Sequence, residues 1–116
     1  MIINLKSPTD LSGFYVVYEG STNLEKPGWY GLSHLMEHLL CKSFDHLQED
    51  FDKDGIDWNA YTSSNEIVFY LTGLDEKVNK WKKKFVDLLT TFNITKEQFE
   101  NERKIVLEEY MDSFND

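Results

Sequence analysis

The period of hydrophobic and polar positions changes several times along the chain, and each change marks an element. The run "GFYVVYEG" at 13–20 is β-branched and aromatic, lies between Gly13 and Gly20, and predicts a buried strand. After a loop punctuated by Pro27 and Gly28, helical spacing extends from Trp29 or Tyr30 to about Lys42. A second short helix is expected over Asp45 to Asp52, with Gly55 ending it. The stretch "IDWNAYTSSNEIVFYLTG" reads as two strands, near 56–62 and 66–72, joined by the turn-prone "SSN". From Asp75 the apolar positions Val78, Trp81, Phe85, Leu88, Leu89 and Phe92 keep a helical period. The last helix is predicted to start at "TKEQ", 95–98, where Thr95 caps and Gln98 reaches back, and to run to about Phe114.

This order of strand, helix pair, strand pair and helix pair predicts an α+β fold, an antiparallel-leaning mixed sheet with helices packed on one face. At 116 residues, with no internal repeat or linker, one compact domain over 1–116 is expected.

Composition narrows the function. Hydrophobic residues make up 41% of the chain, enough to build a core and to set aside a disordered chain. The formal charge of -9, from 21 acids against 12 bases, argues against a nucleic-acid surface, because phosphate contacts need clustered Lys and Arg. The lysines at 77, 80, 82, 83 and 84 read as the solvated face of one helix. A metal, a cationic ligand or a basic peptide suits the charge better. The single cysteine, Cys41, cannot form an internal disulfide, and "MIINLKSPTD" has neither the basic start nor the apolar run of a signal peptide. Both favour a cytoplasmic setting. No apolar run approaches the roughly 20 residues that span a bilayer, so no membrane partner is expected.

Against that background "HLMEH", 34–38, stands out. On a helical wheel His34, Glu37, His38 and Cys41 share an arc of roughly 100°, while Leu32, Leu35, Met36, Leu39 and Leu40 fall on the opposite side. The histidines are therefore expected to face away from the main core. Two imidazoles one turn apart can reach a single tetrahedral zinc, yet a catalytic zinc takes three protein ligands and a water. In "FENERKIVLEEYMDSF" the wheel puts Phe99, Ile105, Val106, Tyr110 and Phe114 on a buried arc, with Glu102 and Glu109 inside it. Buried carboxylates are paired, hydrogen-bonded or metal-bound, and Glu109 supplies the third ligand. Cys41 is read as a residue at the edge of the core.

Three ordered blocks, "GLSHLMEHLL" at 31–40, "GIDWNAYTSSNEIVFYLTGL" at 55–74 and "ENERKIVLEEY" at 100–110, resemble the pitrilysin/insulysin family of zinc metallopeptidases. These are the inverzincins, which include the mitochondrial processing peptidases. The resemblance covers roughly residues 13 to 114. It implies one zinc per chain on His34, His38 and Glu109, with Glu37 as general base and Glu102 supporting the ligands from behind. It also implies that Trp58, Asn59, Ala60 and Tyr61 add an extended peptide or unfolded polypeptide substrate to the sheet edge. Two features depart from the family. Glu109 follows His38 by 109 − 38 = 71 positions, a few fewer than usual, and the family's domains continue beyond this sequence.

The resulting expectation is a zinc-dependent metalloendopeptidase that hydrolyses peptide bonds through a zinc-activated water, with Glu37 taking the proton. Two other readings compete. In one, the chain is a zinc-binding but catalytically weak binding or assembly module that needs a partner chain. In the other, the zinc is purely structural, which would leave a carboxylate at position 37 without a use. Because the metal face lies opposite the core stripe of its helix, the active form is expected to be a homodimer or a complex with a complementary chain that closes over the site.

Overall fold

The computed structural model describes residues 1–27, 31–91 and 94–115, with side-chain surroundings undescribed for 110 and 113–115. Strands β1 (Ile2–Lys6), β2 (Leu11–Glu19), β3 (Asp57–Thr62) and β4 (Glu66–Leu74) form one sheet in the order β1-β2-β4-β3. All three pairings are antiparallel, so the sheet is not mixed. Helices α1 (Leu32–Lys42) and α2 (Gln48–Asp54) lie between β2 and β3, and α3 (Asp75–Thr90) and α4 (Lys96–Asn115) follow β4. Among the described residues no helix is long and apolar enough to cross a membrane.

Most predicted elements form within a residue or two of their expected bounds. The β3–β4 hairpin closes through "SSN", with the Ser63 amide donating to the Glu66 carbonyl at 2.9 Å. Gly55 ends α2 at φ 65, a left-handed conformation that glycine adopts without cost. The Thr95/Gln98 capping box is made in both directions, at 3.0 and 3.1 Å. The region predicted as α2 divides into a 3₁₀ turn, Asp45–Leu47, and a regular helix from Gln48. The predicted start of α1 at Trp29 or Tyr30 and the apolar position Phe92 lie outside the described residues.

Strand β1 was not foreseen. All five of its residues are exposed and its described strand partner is β2, so it has no buried face to impose an alternating pattern. Strand formation there depends on the neighbouring edge. By strand alternation Phe14 and Val16 of β2, and Ile67, Phe69 and Leu71 of β4, point to one face. There they form the main core with Leu40, Phe44, Phe51, Val78, Phe85 and Leu89. The opposite face carries Tyr15 stacked on Tyr70, with ring centroids 5.2 Å apart.

Among the described residues helix α4 contributes no side chain to this core. It rests on α1 through a small separate cluster of Leu35, Leu39 and Val106, with Ile94 packed alongside. Among the described residues the broad buried arc expected for α4 is therefore a narrow one. Phe99 and Ile105 are each 39% exposed, and Leu32 of α1 is exposed as well. The side chains of Tyr110 and Phe114, also placed on that arc, lie outside the described set.

Candidate metal centre

Helix α1 is preceded by Gly31 at its N-cap, whose φ of 92 suits a residue without Cβ. Its first turn is capped from a distance by Glu25: the Gly31 amide donates to Oε2 at 3.1 Å and the Ser33 amide to Oε1 at 3.2 Å. A carboxylate here satisfies orphan amides and meets the positive end of the helix dipole. The next residue is His34.

His34 and His38 bring their Nε2 atoms to 3.1 Å from one another. Glu109 of α4 completes a triangle, with its Oε2 3.3 Å from His34 Nε2 and 3.5 Å from His38 Nε2. Zinc bonds of about 2.0–2.1 Å at tetrahedral angles set ligand atoms about 3.3 Å apart, so the three donor atoms fit that ion. Among the described residues this trio forms a compact set of potential metal ligands. Glu109 is not inside a buried arc as its wheel position suggested. Its side chain is 48% exposed, because α4 touches α1 along a narrow seam and the carboxylate hangs at its rim.

Glu102 is the buried carboxylate of α4, at 3% exposure. Its Oε2 accepts a hydrogen bond from Nδ1 of His38 at 3.1 Å, and its Oε1 lies 3.5 Å from Nζ of Lys42. An Nδ1–H bond to a carboxylate fixes the tautomer that leaves the Nε2 lone pair for a metal. Glu37 turns toward β3, where the Thr62 hydroxyl donates to its Oε2. Asp45 lies 3.5 Å from the same Lys42, so that lysine is shared between two carboxylates. The carboxylates of Asp45 and Glu102 hold the Lys42 ammonium above the ordinary lysine range.

Cys41 packs against the main core and is not among the three potential ligands. Burial first, then the charges of Glu37, Asp45 and Glu102, push its thiol up to about 12. It is an inert core-edge residue at neutral pH.

The peptide-binding stretch expected in β3 divides. Ala60 and Tyr61 line a shallow recess of about 420 Å³ together with Thr22, His34, Glu37 and Thr62. Trp58 lies elsewhere. Its ring packs 5.1 Å from Phe44 and its indole N–H donates to Gln48 at 2.9 Å. The Asn59 side chain accepts from the Ala60 amide at 2.8 Å and does not line the recess. Sequence reasoning stopped at Tyr61 and so missed Thr62, although strand alternation places Thr62 on the same face as Ala60. It also missed Lys42, one helical turn beyond His38, and Glu25, for which no local pattern exists.

Comparison with known proteins gives the family and the fold. Residues 3–115 match the family model described as Insulinase (Peptidase family M16). Over 111 residues the chain is 27% identical to a probable mitochondrial-processing peptidase subunit beta of Arabidopsis thaliana, covering 91% of this chain and 20% of that one. It is 30% identical over 90 residues to an uncharacterized zinc protease of Rickettsia bellii, covering 73% of this chain and 22% of the relative. The fold superposes with a TM-score of 0.78 on the crystal structure of a protease from Helicobacter pylori at 21% identity, covering 94% of this chain and 30% of that one. This chain thus spans about a fifth of the length of these curated relatives. It belongs to the insulinase family, peptidase family M16, whose matched members include zinc proteases.

Proposed function

We propose that this chain carries the metal-binding and proton-transfer groups of a zinc-dependent peptidase. The observation that supports this best is the triangle of His34, His38 and Glu109 donor atoms, with Glu37 lining the adjoining recess. The three residues would hold one zinc, and Glu102 would keep His38 in its metal-binding tautomer. A zinc in such a site supplies Lewis acidity, lowering the pKa of a ligated water to about 7 and polarising a carbonyl.

Glu37 is the base. Thr62 occupies its Oε2, which leaves Oε1 to take a proton from the attacking water and hand it to the leaving amine. Ala60 and Tyr61, on the edge strand β3, would hold an extended peptide or unfolded polypeptide beside Glu37 through main-chain pairing. Residues 1–116 would act as one metallopeptidase-like unit.

A second reading has its own support. The side chains of His34 and Glu109 are 41% and 48% exposed, and a site this open excludes little water and positions substrate poorly. The unit would then bind zinc but hydrolyse peptides only within a homodimer or beside a complementary chain. Elemental analysis together with hydrolysis of an unstructured peptide, for wild type and Glu37→Gln across a dilution series, tests both readings. Zinc-dependent hydrolysis lost in Glu37→Gln supports the peptidase. A zinc-loaded but inactive monomer supports the partner-dependent reading. A protein that binds no zinc refutes both.

A further inference from the structure

The ligand side chains satisfy only one oxygen of Glu102. Its side chain is 4% exposed, and a carboxylate withdrawn from water to that degree is costly unless both oxygens find partners and its charge is balanced. The imidazole of His38 satisfies Oε2 at 3.1 Å but, as a neutral metal ligand, carries no charge of its own, and a zinc on its far side would share its charge with Glu109 and leave Oε1 without a partner. The cation facing Oε1 is Lys42, at 3.5 Å. Lys42 stands four residues after His38, one turn further along α1, so the helix that carries the ligand also carries the counter-ion of the group behind it.

We propose that Lys42 is a positioning residue of the metal site: its ammonium anchors Glu102 as the acceptor of the His38 Nδ1–H bond, which aims His38 Nε2 at the zinc. This rests on the zinc reading above. Lys42 touches no ligand atom and takes part in no chemical step. Its side chain is 47% exposed and reaches Glu102 from the solvent side, so the charge of the lysine stays hydrated while the carboxylate is neutralised. Asp45, also 3.5 Å from Nζ, competes for the same ammonium and limits how fully it is committed to Glu102.

The test reads zinc affinity, by competition with a chromophoric chelator, and does not depend on peptidase activity. The full chain is compared with Lys42→Met, Lys42→Arg, Glu102→Gln, Asp45→Asn and the double variant Lys42→Met/Glu102→Gln, each with the melting temperature of its metal-free form. Lys42→Met keeps the length and apolar stem and should weaken zinc about tenfold, at the lower end of the usual effect of groups behind a ligand, with little change in the metal-free melting temperature. Lys42→Arg should restore most of that loss. In the Glu102→Gln background Lys42→Met should cost nothing further, because the two act as one unit. Asp45→Asn should leave zinc binding as tight as in the wild type or tighter.

Wild-type affinity in Lys42→Met, or an undiminished Lys42→Met loss in the Glu102→Gln background, would overturn the proposal while leaving the zinc reading intact. Weaker binding in Asp45→Asn would also count against it, and that variant keeps the lysine if Lys42→Met fails to fold. A wild-type chain that binds no zinc removes the zinc reading itself, and with it any role for Lys42.

Discussion

Thr62 and Glu37 are 25 residues apart in the chain, on a strand and a helix, and the threonine hydroxyl donates directly to the glutamate carboxylate. The bond orients the Glu37 carboxylate, the proposed general base, relative to the β3 edge. Thr62→Val keeps the shape and strand preference and removes the donor. With zinc content unchanged, kcat should fall about 10- to 100-fold, the scale of a hydrogen bond to a charged group, while KM stays nearly constant. Thr62→Ser should recover most of the activity. An equal rise in KM with kcat preserved would place Thr62 in substrate binding instead.

Metal content should separate the ligands from their neighbours. His34→Ala, His38→Ala and Glu109→Gln each remove one corner of the donor triangle and should lose zinc on dialysis. Glu102→Gln should retain it with about 10- to 100-fold weaker affinity. Glu37→Gln should keep full occupancy and lose at least about a hundredfold in rate. Elemental analysis of the purified variants reads the metal directly.

The Cys41 thiol, pushed up to about 12 chiefly by burial, should resist alkylation. At pH 8 iodoacetamide should react with the folded protein at least about tenfold more slowly than with the chain in guanidinium, because thiolate is the reacting form. Linkage gives the accompanying sign. Between the ordinary thiol value of 9.0 and about 12 the unfolded chain releases a proton that the folded chain keeps, so stability should fall as pH rises through that window. Cys41→Ser should not change zinc stoichiometry.

Core and rim should respond differently to truncation. Phe44 is fully buried, with its ring 4.9 Å from Phe85 and 5.1 Å from Trp58, and Phe44→Ala should cost about 3–5 kcal/mol. Leu32 is 45% exposed, and Leu32→Ala should stay within about 0.5 kcal/mol. Urea denaturation of both variants provides the comparison.

What the sequence disclosed follows from how local each determinant is. The hairpin turn, the Gly55 stop and the Thr95/Gln98 box are settled within a few residues, and each is where its local chemistry indicated. The shared helical face of His34 and His38 is likewise set by spacing alone. Strand β1 depends on a neighbour 12 − 6 = 6 residues away at Lys6↔Ser12 and 16 − 2 = 14 away at Ile2↔Val16, and its own pattern carries no signature of that partner. Helical periodicity in α4 suggested a broad apolar arc, but periodicity cannot tell how wide a surface will meet it. The seam with α1 buries Val106 and Glu102 and leaves Phe99, Ile105 and Glu109 at its margin. Thr62 and Lys42 became legible only when β3 and α4 were placed on either side of α1.

The clasp of Glu25 on the first turn of α1 has a kinetic meaning. His34 is the third residue of that helix, and terminal turns are where helices open first and most often. Every such opening would swing one zinc ligand away and give the ion a route out. By holding the Gly31 and Ser33 amides, Glu25 should make that opening rarer, so a residue outside the donor triangle would govern how long a bound zinc stays. Glu25→Ala should therefore speed zinc release to a chelator more than it slows zinc uptake, and a loop nine residues before His34 would act as the latch on its lifetime in the site.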